Sequence, residues 1–394
     1  MSLPEPEVLT ALVSRVFRIN DVTTGDLQKG WLARYRGYLT MEDSAAAYDQ
    51  LAESLKPHGL MPLFRKEENV QLIFLAPAMP EVKQKPPTVN IIMFVLTVFS
   101  VMLAGAVPDG PLPDDFGGQM LVLLKNIFTG WPFALSLLGI LVAHEFGHYL
   151  MSRYHKTPAT LPFFIPFPFS PFGTMGAFIQ MQSIPKNKRI LFDIGIAGPL
   201  AGMAIAIPVL FLGLSLSQLG PVEPAPGGFI EGNSLLYLLS KYIVFGQLLP
   251  APATTNGMPL FLYWVQYFFT GTPVPFGGMD VFIHPVAFAG WAGLLVTALN
   301  LIPAGTLDGG HITYSLFGER VRKFFPFIIG ILLIMGLVSQ TWWFWALLLL
   351  WLGRVHAEPL DQITELDPRR RALGWFMIVL FILVFTPVPM VILG

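Results

Sequence analysis

The chain has 394 residues, of which 54% are hydrophobic and 12% are charged, and its formal net charge is −1. Soluble globular domains carry about 25% charged residues, so this composition indicates a protein whose main solvent is not water. The near-zero net charge gives no sign of a nucleic-acid partner. The chain has no cysteine, which excludes disulfides, thiolate metal sites and cysteine nucleophiles. Any bound metal must therefore be held by His, Asp or Glu side chains.

Residues 1–85 have an ordinary composition and predict a small soluble α/β domain with a regulatory or docking role. Thr40 and Asp43 have the spacing of a capping box, and the apolar residues that follow recur at every fourth position up to Gly59, which predicts a helix. Two strand-like runs at 62–65 and 70–74 flank a polar turn and predict a hairpin. The chain starts with neither a basic cluster nor an apolar run, so we expect no signal or transit peptide.

From residue 90 onward, the apolar runs approach the length of about 20 residues that a membrane span requires. They predict a multi-pass α-helical membrane protein with about seven spans. The predicted spans are 90–108, 131–154, 190–216, 285–303, 324–338, 341–353 and 372–393.

Basic residues collect in the loops on one side of these predicted spans. The basic residues on that side are Lys83, Lys85, Arg153, Lys156, Lys186, Lys188, Arg189, Arg320, Arg322, Lys323, Arg354 and Arg369 to Arg371. The opposite side carries Lys125 and Lys241. The positive-inside rule then predicts that residues 1–85 are cytoplasmic and that the carboxyl terminus is outside. We expect a multi-pass protein of a bacterial or archaeal cell membrane.

The two apolar runs at 324–338 and 341–353 are each short for a span. A single long helix would place the basic clusters before and after it on opposite faces of the membrane, so a tight helical hairpin is favoured. The Pro/Gly-rich segment 219–283 contains apolar stretches at 234–249 and 258–269, which either lie in the interface or cross the membrane.

The segment 158–185 is apolar but interrupted by prolines, so no helix spans the membrane there. Residues Phe172 to Met181 have the composition of a strand pair, with glycines at 173 and 176. Non-helical backbone at membrane depth is tolerated where it lines a protein cavity. The sequence therefore predicts a membrane-depth β-hairpin that serves as a substrate-binding edge.

The second predicted span contains the sequence His144-Glu145-Phe146-Gly147-His148. Residues four apart lie on one face of a helix, so both imidazoles can reach one metal ion with Glu145 beside it. Ionisable residues inside a span are costly and indicate a functional site. The alternative is that they are hydrogen-bonded polar residues of the bundle. It is disfavoured because three such groups fall within five residues.

A zinc site needs a third protein ligand and an open position for water. Asp308, which follows the fourth span, is predicted to lie on the same face of the membrane as His148 and is the best candidate. His311 is three residues further on and is favoured as a neighbour of the site or a surface residue. The remaining histidines lie in the soluble domain, on the outer face or in basic loops: His58, His284, His155 and His356. We expect one Zn²⁺ per chain, held by His144, His148 and Asp308.

These two segments resemble the site-2 protease family of membrane zinc metalloproteases. The family signature is H-E-x-x-H in one span and N-x-x-P-x-x-x-L-D-G near another, and both are complete here, at His144–His148 and Asn300–Gly309. The sequences GTMGAFIQM and GNSLLYLLSKYIVFG are most similar to the plant plastid branch named after ethylene-dependent gravitropism defects and to its bacterial relatives. Many family members contain a PDZ domain, and we expect none here. The resemblance covers roughly residues 90–320.

The resemblance implies proteolysis of a membrane-spanning protein substrate, with zinc, a water molecule and Glu145 as general base. It also implies that Asn300 stabilises the oxyanion or the unwound substrate; a helix–helix hydrogen bond is the equal alternative for Asn300. The predicted organisation is a docking domain at 1–85, a metalloprotease core at 86–323 and membrane helices at 324–394. A zinc or proton transporter is the main alternative function, since buried His and carboxylate groups also mark ion pathways, but the sequence contains no internal repeat.

Overall fold

The computed structural model describes residues 5–26, 30–67, 70–80, 86–225, 228–255, 257–352 and 358–393. Parts of the sequence used above fall outside these ranges. They are Lys83, Lys85, Arg354, His356 and residues 68–69 of the predicted hairpin turn.

The amino-terminal part is a four-stranded antiparallel sheet, in the order β1-β2-β4-β3, with two helices. Its elements are α1 (Pro6–Ser14), β1 (Phe17–Asp26), β2 (Trp31–Leu39), α2 (Ser44–Leu55), β3 (Leu60–Glu67) and β4 (Val70–Pro77). The helix predicted after Thr40 is α2, but its cap is Asp43, whose side chain accepts a hydrogen bond from the Ala45 amide. The predicted α/β domain is therefore present, with its own apolar core around Tyr35, Leu51 and Phe64.

The second part is mainly helical. Its helices are α3 (Thr88–Ala104), α4 (Phe116–Lys125), α5 (Trp131–Tyr154), α6 (Lys188–Ser215), α7 (Leu235–Phe245), α8 (Leu260–Thr270), α9 (Pro285–Asn300), α10 (Asp308–Phe317), α11 (Phe325–Met335), α12 (Thr341–Leu352) and α13 (Pro368–Val384). Its short strands are β5 (Phe163–Pro166), β6 (Thr174–Phe178), β7 (Gln218–Pro221), β8 (Gly228–Glu231), β9 (Met279–Phe282) and β10 (Met390–Leu393). They form three two-stranded sheets, β5-β6, β7-β9 and β8-β10.

Within the described ranges, two stretches are helical, long and apolar enough to cross a membrane, judged by length and composition: Ile127–Tyr154 and Lys188–Ser215. They correspond to the second and third predicted spans. The helices at the other five predicted positions have 11 to 17 residues, fewer than the roughly 20 that a crossing requires. Seven crossings therefore stay a prediction.

Helices α5, α6 and α9 form the centre of the bundle, because small residues let their backbones approach. A Cβ atom at Gly147 of α5 would lie 2.5 Å from the Ala197 carbonyl oxygen of α6. A Cβ atom at Gly290 of α9 would lie 2.6 Å from the Leu210 Cα of α6. These contacts hold α6 between the other two helices, where it can support side chains that project from both.

The helix predicted for the last span is too long at its carboxyl end. Helix α13 ends at Val384, because Pro387 and Pro389 cannot continue it. Residues 390–393 pair instead with β8 in an antiparallel ladder. The predicted hairpin near residue 339 matches the structure: α11 and α12 are separate helices, and Trp342 of α12 packs on Leu332 of α11 in one apolar cluster.

The predicted strand pair within residues 172–181 is in part wrong, since only one strand, β6, lies there. Its partner β5 comes from the proline-rich sequence before it, with Phe163 opposite Phe178 and Phe164 opposite Ala177. The prolines made β5 look like a loop, although a two-stranded sheet tolerates proline at its free edge. At Gly173 φ is +69°, and a Cβ atom there would lie 2.5 Å from the Ser100 carbonyl oxygen, so glycine allows the hairpin to pack on α3.

The amino-terminal domain is joined to the helical part by the segment 358–366, which we name the linker strand. The Phe64 amide at the edge of β3 donates to the Leu360 carbonyl at 2.9 Å. On the other side, the Asp361 amide donates to the Lys186 carbonyl at 2.7 Å. The linker strand thus bridges the sheet edge of the domain and the residues that lead into α6.

Candidate metal centre

Helix α5 carries three buried polar side chains within little more than one turn. His144, Glu145 and His148 are 3%, 4% and 6% exposed. The two histidines are four residues apart on one helical face, and their Nε2 atoms lie 3.2 Å apart. Two nitrogen ligands are therefore brought together by α5 alone, as its sequence predicts.

Helix α6 holds these imidazoles in place. The His148 Nδ1 atom lies 2.7 Å from the Ile194 carbonyl oxygen, which can only accept, so Nδ1 carries the hydrogen and Nε2 is left to bind a metal. A Cβ atom at Gly198 would lie 2.0 Å from the His148 Nε2, and one at Gly202 would lie 3.2 Å from the His144 Nδ1. The small residues of the Gly198–Gly202 sequence therefore make room for two imidazole rings as well as for helix packing.

Asp308 is brought to the same place by the turn between α9 and α10. It is the first residue of α10, and a Cβ atom at the next residue, Gly309, would lie 2.0 Å from the Leu301 carbonyl oxygen, so the turn requires glycine there. The Asp308 Oδ2 atom lies 3.3 Å from the His144 Nε2. Its Oδ1 atom lies 3.2 Å from the His148 Nε2. One carboxylate thus faces both imidazoles.

These three side chains fit a zinc ion. Their ligand atoms all lie within 4.8 Å of one another, and the separations just given are 3.2 to 3.3 Å. Ligand atoms bonded to tetrahedral zinc at about 2.1 Å are about 3.4 Å apart, so the triangle has the right size. Two nitrogens and one oxygen are also a common protein donor set for catalytic zinc, which keeps its fourth position open.

Two further groups border the metal position. The Asn300 Nδ2 atom lies 3.3 Å from the His144 Nε2, so the end of α9 reaches the site. The backbone amide of Ile179, directly after β6, faces the Glu145 carboxylate. All five side chains singled out by the sequence, Asn300 included, are therefore close together.

The geometry favours Asp308 over His311 as the third ligand. His311 is buried in α10 beside Gly195 of α6, one turn beyond Asp308. Within the described ranges, the group of side chains that could hold a metal comprises His144, His148 and Asp308. His284 is used differently, since its Nδ1 atom accepts a hydrogen bond from Val286 at the start of α9.

An ion-pair cluster beside the site was missed by the sequence reasoning. Asp193 of α6 binds Arg370 of α13 through two hydrogen bonds of 2.7 and 2.6 Å. Its Oδ2 atom also lies 2.9 Å from the Nε2 of His155, which follows α5. The cluster ties the ends of three helices together next to Ile194. The only signal in the sequence was a charged residue at each helix end, and nothing in the sequence indicated which of them pair.

Comparison with known proteins identifies the family of the chain. The sequence profile of Peptidase family M50 matches residues 132–339. A rice protein named "Probable zinc metalloprotease EGY1, chloroplastic" is 30% identical over 79% of this chain and 52% of its own length. The Arabidopsis thaliana protein of the same name is 28% identical over 78% of this chain and 55% of its own length. An Arabidopsis "Probable zinc metallopeptidase EGY3, chloroplastic" is 27% identical over 66% of this chain and 42% of its length.

The chain spans about half the length of the curated relatives that it matches. The matched region contains all five candidate site residues. The expected resemblance to site-2 proteases and to the ethylene-dependent gravitropism branch is confirmed by these matches. The expected bacterial or archaeal cell membrane is contradicted by the same comparison, because these relatives are named chloroplastic.

Proposed function

Since the chain belongs to peptidase family M50, we propose that it is an intramembrane zinc metalloprotease that hydrolyses peptide bonds of membrane-spanning proteins. The observation that carries this proposal is the triangle of His144, His148 and Asp308 ligand atoms, 3.2 to 3.3 Å on a side, with Glu145 beside it. A structural polar cluster would not need three ligand atoms from two distant segments to converge with zinc-like spacing.

Bound zinc would supply a Lewis acid that lowers the pKa of a coordinated water toward about 7 and polarises the scissile carbonyl. Glu145 takes the proton of the attacking water and passes it to the leaving amine nitrogen. Its burial at 4% exposure keeps competing water away from that proton. The Asn300 amide, 3.3 Å from the His144 Nε2, donates to the oxygen that gains negative charge.

The substrate is held extended by the edge of β6. A membrane-spanning helix reaches the enzyme with its backbone hydrogen bonds satisfied, so cleavage requires replacement partners for the unwound part. The backbone around Ile179 lies beside Glu145 and is positioned to pair with an extended peptide. The exposed side chains of Met175 and Phe178 add apolar contacts along the same strand.

About seven membrane crossings accompany this function, with the shorter helices near α5 and α6 completing the bundle. The large exposed apolar side chains of α11, α12 and α13 support this arrangement, because lipid is the solvent in which they are stable. The amino-terminal domain acts as a docking unit on the side where the basic loops lie.

Cleavage of a model membrane-spanning substrate by the purified full chain in detergent tests the function. We expect cleavage that a zinc chelator stops and added zinc restores. Asp308→Ala should lose both zinc and cleavage, because two ligands hold the ion too weakly. The matched control is Asp49→Ala, which removes an exposed carboxylate whose partner is Lys186. Cleavage by zinc-free protein would refute the proposal, and zinc flux through the chain in liposomes would support the transporter instead.

Ile179→Pro tests the strand edge. Proline removes the amide that faces Glu145, so cleavage of a helical substrate should slow by at least about tenfold more than cleavage of the same substrate with helix-breaking residues, while zinc stays bound. Ile179→Val is the matched control, because it changes the side chain but keeps the amide. Helix-breaking residues near the cleavage site should also speed cutting. A normal rate for the proline variant would make β6 a structural strand only.

A further inference from the structure

A second group of buried polar side chains lies far from the metal centre, in the chain between α6 and α9. Lys241 is fully buried, with its Nζ atom 3.5 Å from the Asp280 Oδ1 and 4.6 Å from the centre of the Tyr237 ring. The Tyr237 hydroxyl donates to the Glu231 Oε1 at 2.7 Å. Among the described residues, both carboxylates face the single ammonium group of Lys241, so one negative charge lacks a cation there when both acids are ionised.

Glu231 also lines a cavity of about 270 Å³ between α3, the start of α5 and the start of α9. The rest of its lining consists of three aromatic rings and four smaller apolar residues: Phe133, Phe229, Phe288, Ala104, Gly105, Ile283 and Pro285. The Phe133 and Trp291 rings stack on Phe288, with centres 5.6 and 5.4 Å from its own, so aromatic neighbours cover its faces. The Phe229 ring is tilted by 47° against Phe288, with its centre 6.0 Å away. Phe229 is 44% exposed and marks the open side of the cavity.

Aromatic faces beside a carboxylate are the surroundings that an ammonium ion prefers. A cation over a ring face is attracted by the ring quadrupole, and quaternary ammonium groups are recognised in this way. Burial raises the pKa of the Glu231 carboxyl, because its ionised form has lost water. A cation in the cavity would restore the charge balance that Lys241 alone does not supply to two acids.

We propose that this cavity binds an organic ammonium group, with Glu231 as its counter-ion and the exposed Phe229 ring as its aromatic wall. Phe133 precedes His144 by eleven residues of α5, so the cavity lies roughly 16 Å along that helix from the metal centre. A metal ion suits it poorly, because three of its walls are hydrocarbon rings that cannot act as ligands. The site is therefore separate from the catalytic one.

Calorimetric titration of the zinc-loaded chain in an amine-free maltoside detergent tests the proposal. The probes are choline and 3,3-dimethylbutan-1-ol, which has nearly the same shape but no charge. We expect choline to bind and the uncharged alcohol to bind at least about tenfold more weakly, because the ring quadrupole and the carboxylate act only on charge. Equal binding of the two probes would reduce the cavity to an apolar pocket, and no binding of choline would also overturn the proposal.

Two variants locate the binding. Glu231→Gln should weaken choline binding at least about tenfold, whereas Glu223→Gln, which alters an exposed acid of the same segment, should leave it unchanged. Undiminished binding by a Glu231→Gln protein that retains zinc would place choline elsewhere. If that variant fails to retain zinc, Phe229→Leu replaces it. This variant keeps the charge and should weaken choline binding several-fold through loss of the exposed ring, and an unchanged affinity would contradict the proposed aromatic wall.

Repeating the titration in lipid nanodiscs identifies the source of the ammonium group. Nanodiscs of phosphatidylcholine or phosphatidylethanolamine should compete with added choline if a lipid headgroup occupies the cavity, whereas nanodiscs of phosphatidylglycerol should not. Equal choline affinity in all three would assign the site to a soluble or protein-borne amine. Both results require that the detergent titration has already shown charge-dependent binding.

Discussion

Two groups of buried polar side chains lie beside α5, one in its second half and one near its first turn, and their donors are arranged differently. At the metal centre, ligand atoms from α5 and α10 converge on one point and are 3.2 to 3.3 Å apart. In the second group, which we name the outer group, Lys241 lies between Tyr237 and Asp280, and Glu231 faces the cavity beside them, the outer cavity. Burial of charge alone therefore does not define a metal site; convergence of the ligand atoms does.

The two groups also differ in the residues that surround them. Beside the metal centre, α6 contributes glycines and a backbone carbonyl, which make space for the imidazoles and orient them. Beside the outer group, α5, β8 and α9 contribute phenylalanine rings. Small residues and carbonyl groups fix ligand geometry for a metal ion, whereas aromatic rings surround a larger organic cation.

The largest difference between the two groups should appear when a glutamate in each becomes glutamine. Glu145→Gln should keep zinc and the fold but lose cleavage by about 10²–10⁴-fold, the usual contribution of a general base. Glu231→Gln should keep zinc and change the cleavage rate by less than about threefold, since the Phe133 wall of its cavity lies roughly 16 Å along α5 from His144. For both variants, metal analysis measures the bound zinc, and initial rates on one substrate measure cleavage. Near-normal cleavage by Glu145→Gln would remove the catalytic assignment.

A smaller but selective effect should follow from filling the space that α6 leaves for His148. Gly198→Ala places a Cβ atom 2.0 Å from the His148 Nε2, so we expect zinc affinity to fall by at least about tenfold. Gly202→Ala should lower the zinc affinity less, because its Cβ atom would lie 3.2 Å from the His144 ring.

Gly139→Ala is the control for both, since a Cβ atom there meets nothing within 4 Å. Competition with a zinc-binding dye would rank the three variants. Zinc affinity that is equal in Gly198→Ala and Gly139→Ala would mean that α6 does not hold the imidazoles in place.

The smallest effect concerns the amino-terminal domain, which is connected through the linker strand to the residues that lead into α6. A chain that starts near residue 86 should retain zinc, because its ligands lie at 144–308, but should unfold several degrees lower. The reason is that removal exposes Leu360 and Ile363, which pack on the core of the domain, and leaves the linker strand unpaired on one side.

Thermal unfolding and zinc content of the shortened chain check this expectation. Choline binding at the outer cavity should stay the same, because Glu231, Lys241 and Asp280 lie between α6 and α9, outside both the removed domain and the linker strand. Loss of zinc on shortening the chain would show that the domain is part of the metal centre rather than a docking unit.

The sequence by itself determined the chemistry of the metal centre. The four-residue spacing of His144 and His148 places them on one face of any helix, whatever surrounds it. The absence of cysteine and the position of Asp308 after the fourth apolar run narrowed the choice of residues for the third metal ligand. The prediction of a multi-pass membrane protein also followed from composition, because apolar runs of that length are unstable in water, and the number of crossings stays a prediction.

The tertiary structure alone decided how these residues are supported. Local periodicity reports which residues share a helix face, but it carries no information about partners 40 to 180 residues away. The Ile194 carbonyl that orients His148, the Asp193–Arg370 pair and the pairing of β8 with β10 are contacts of this kind. The outer cavity is a further example, since its rings come from three separate elements and line one cavity only when α5, β8 and α9 pack together.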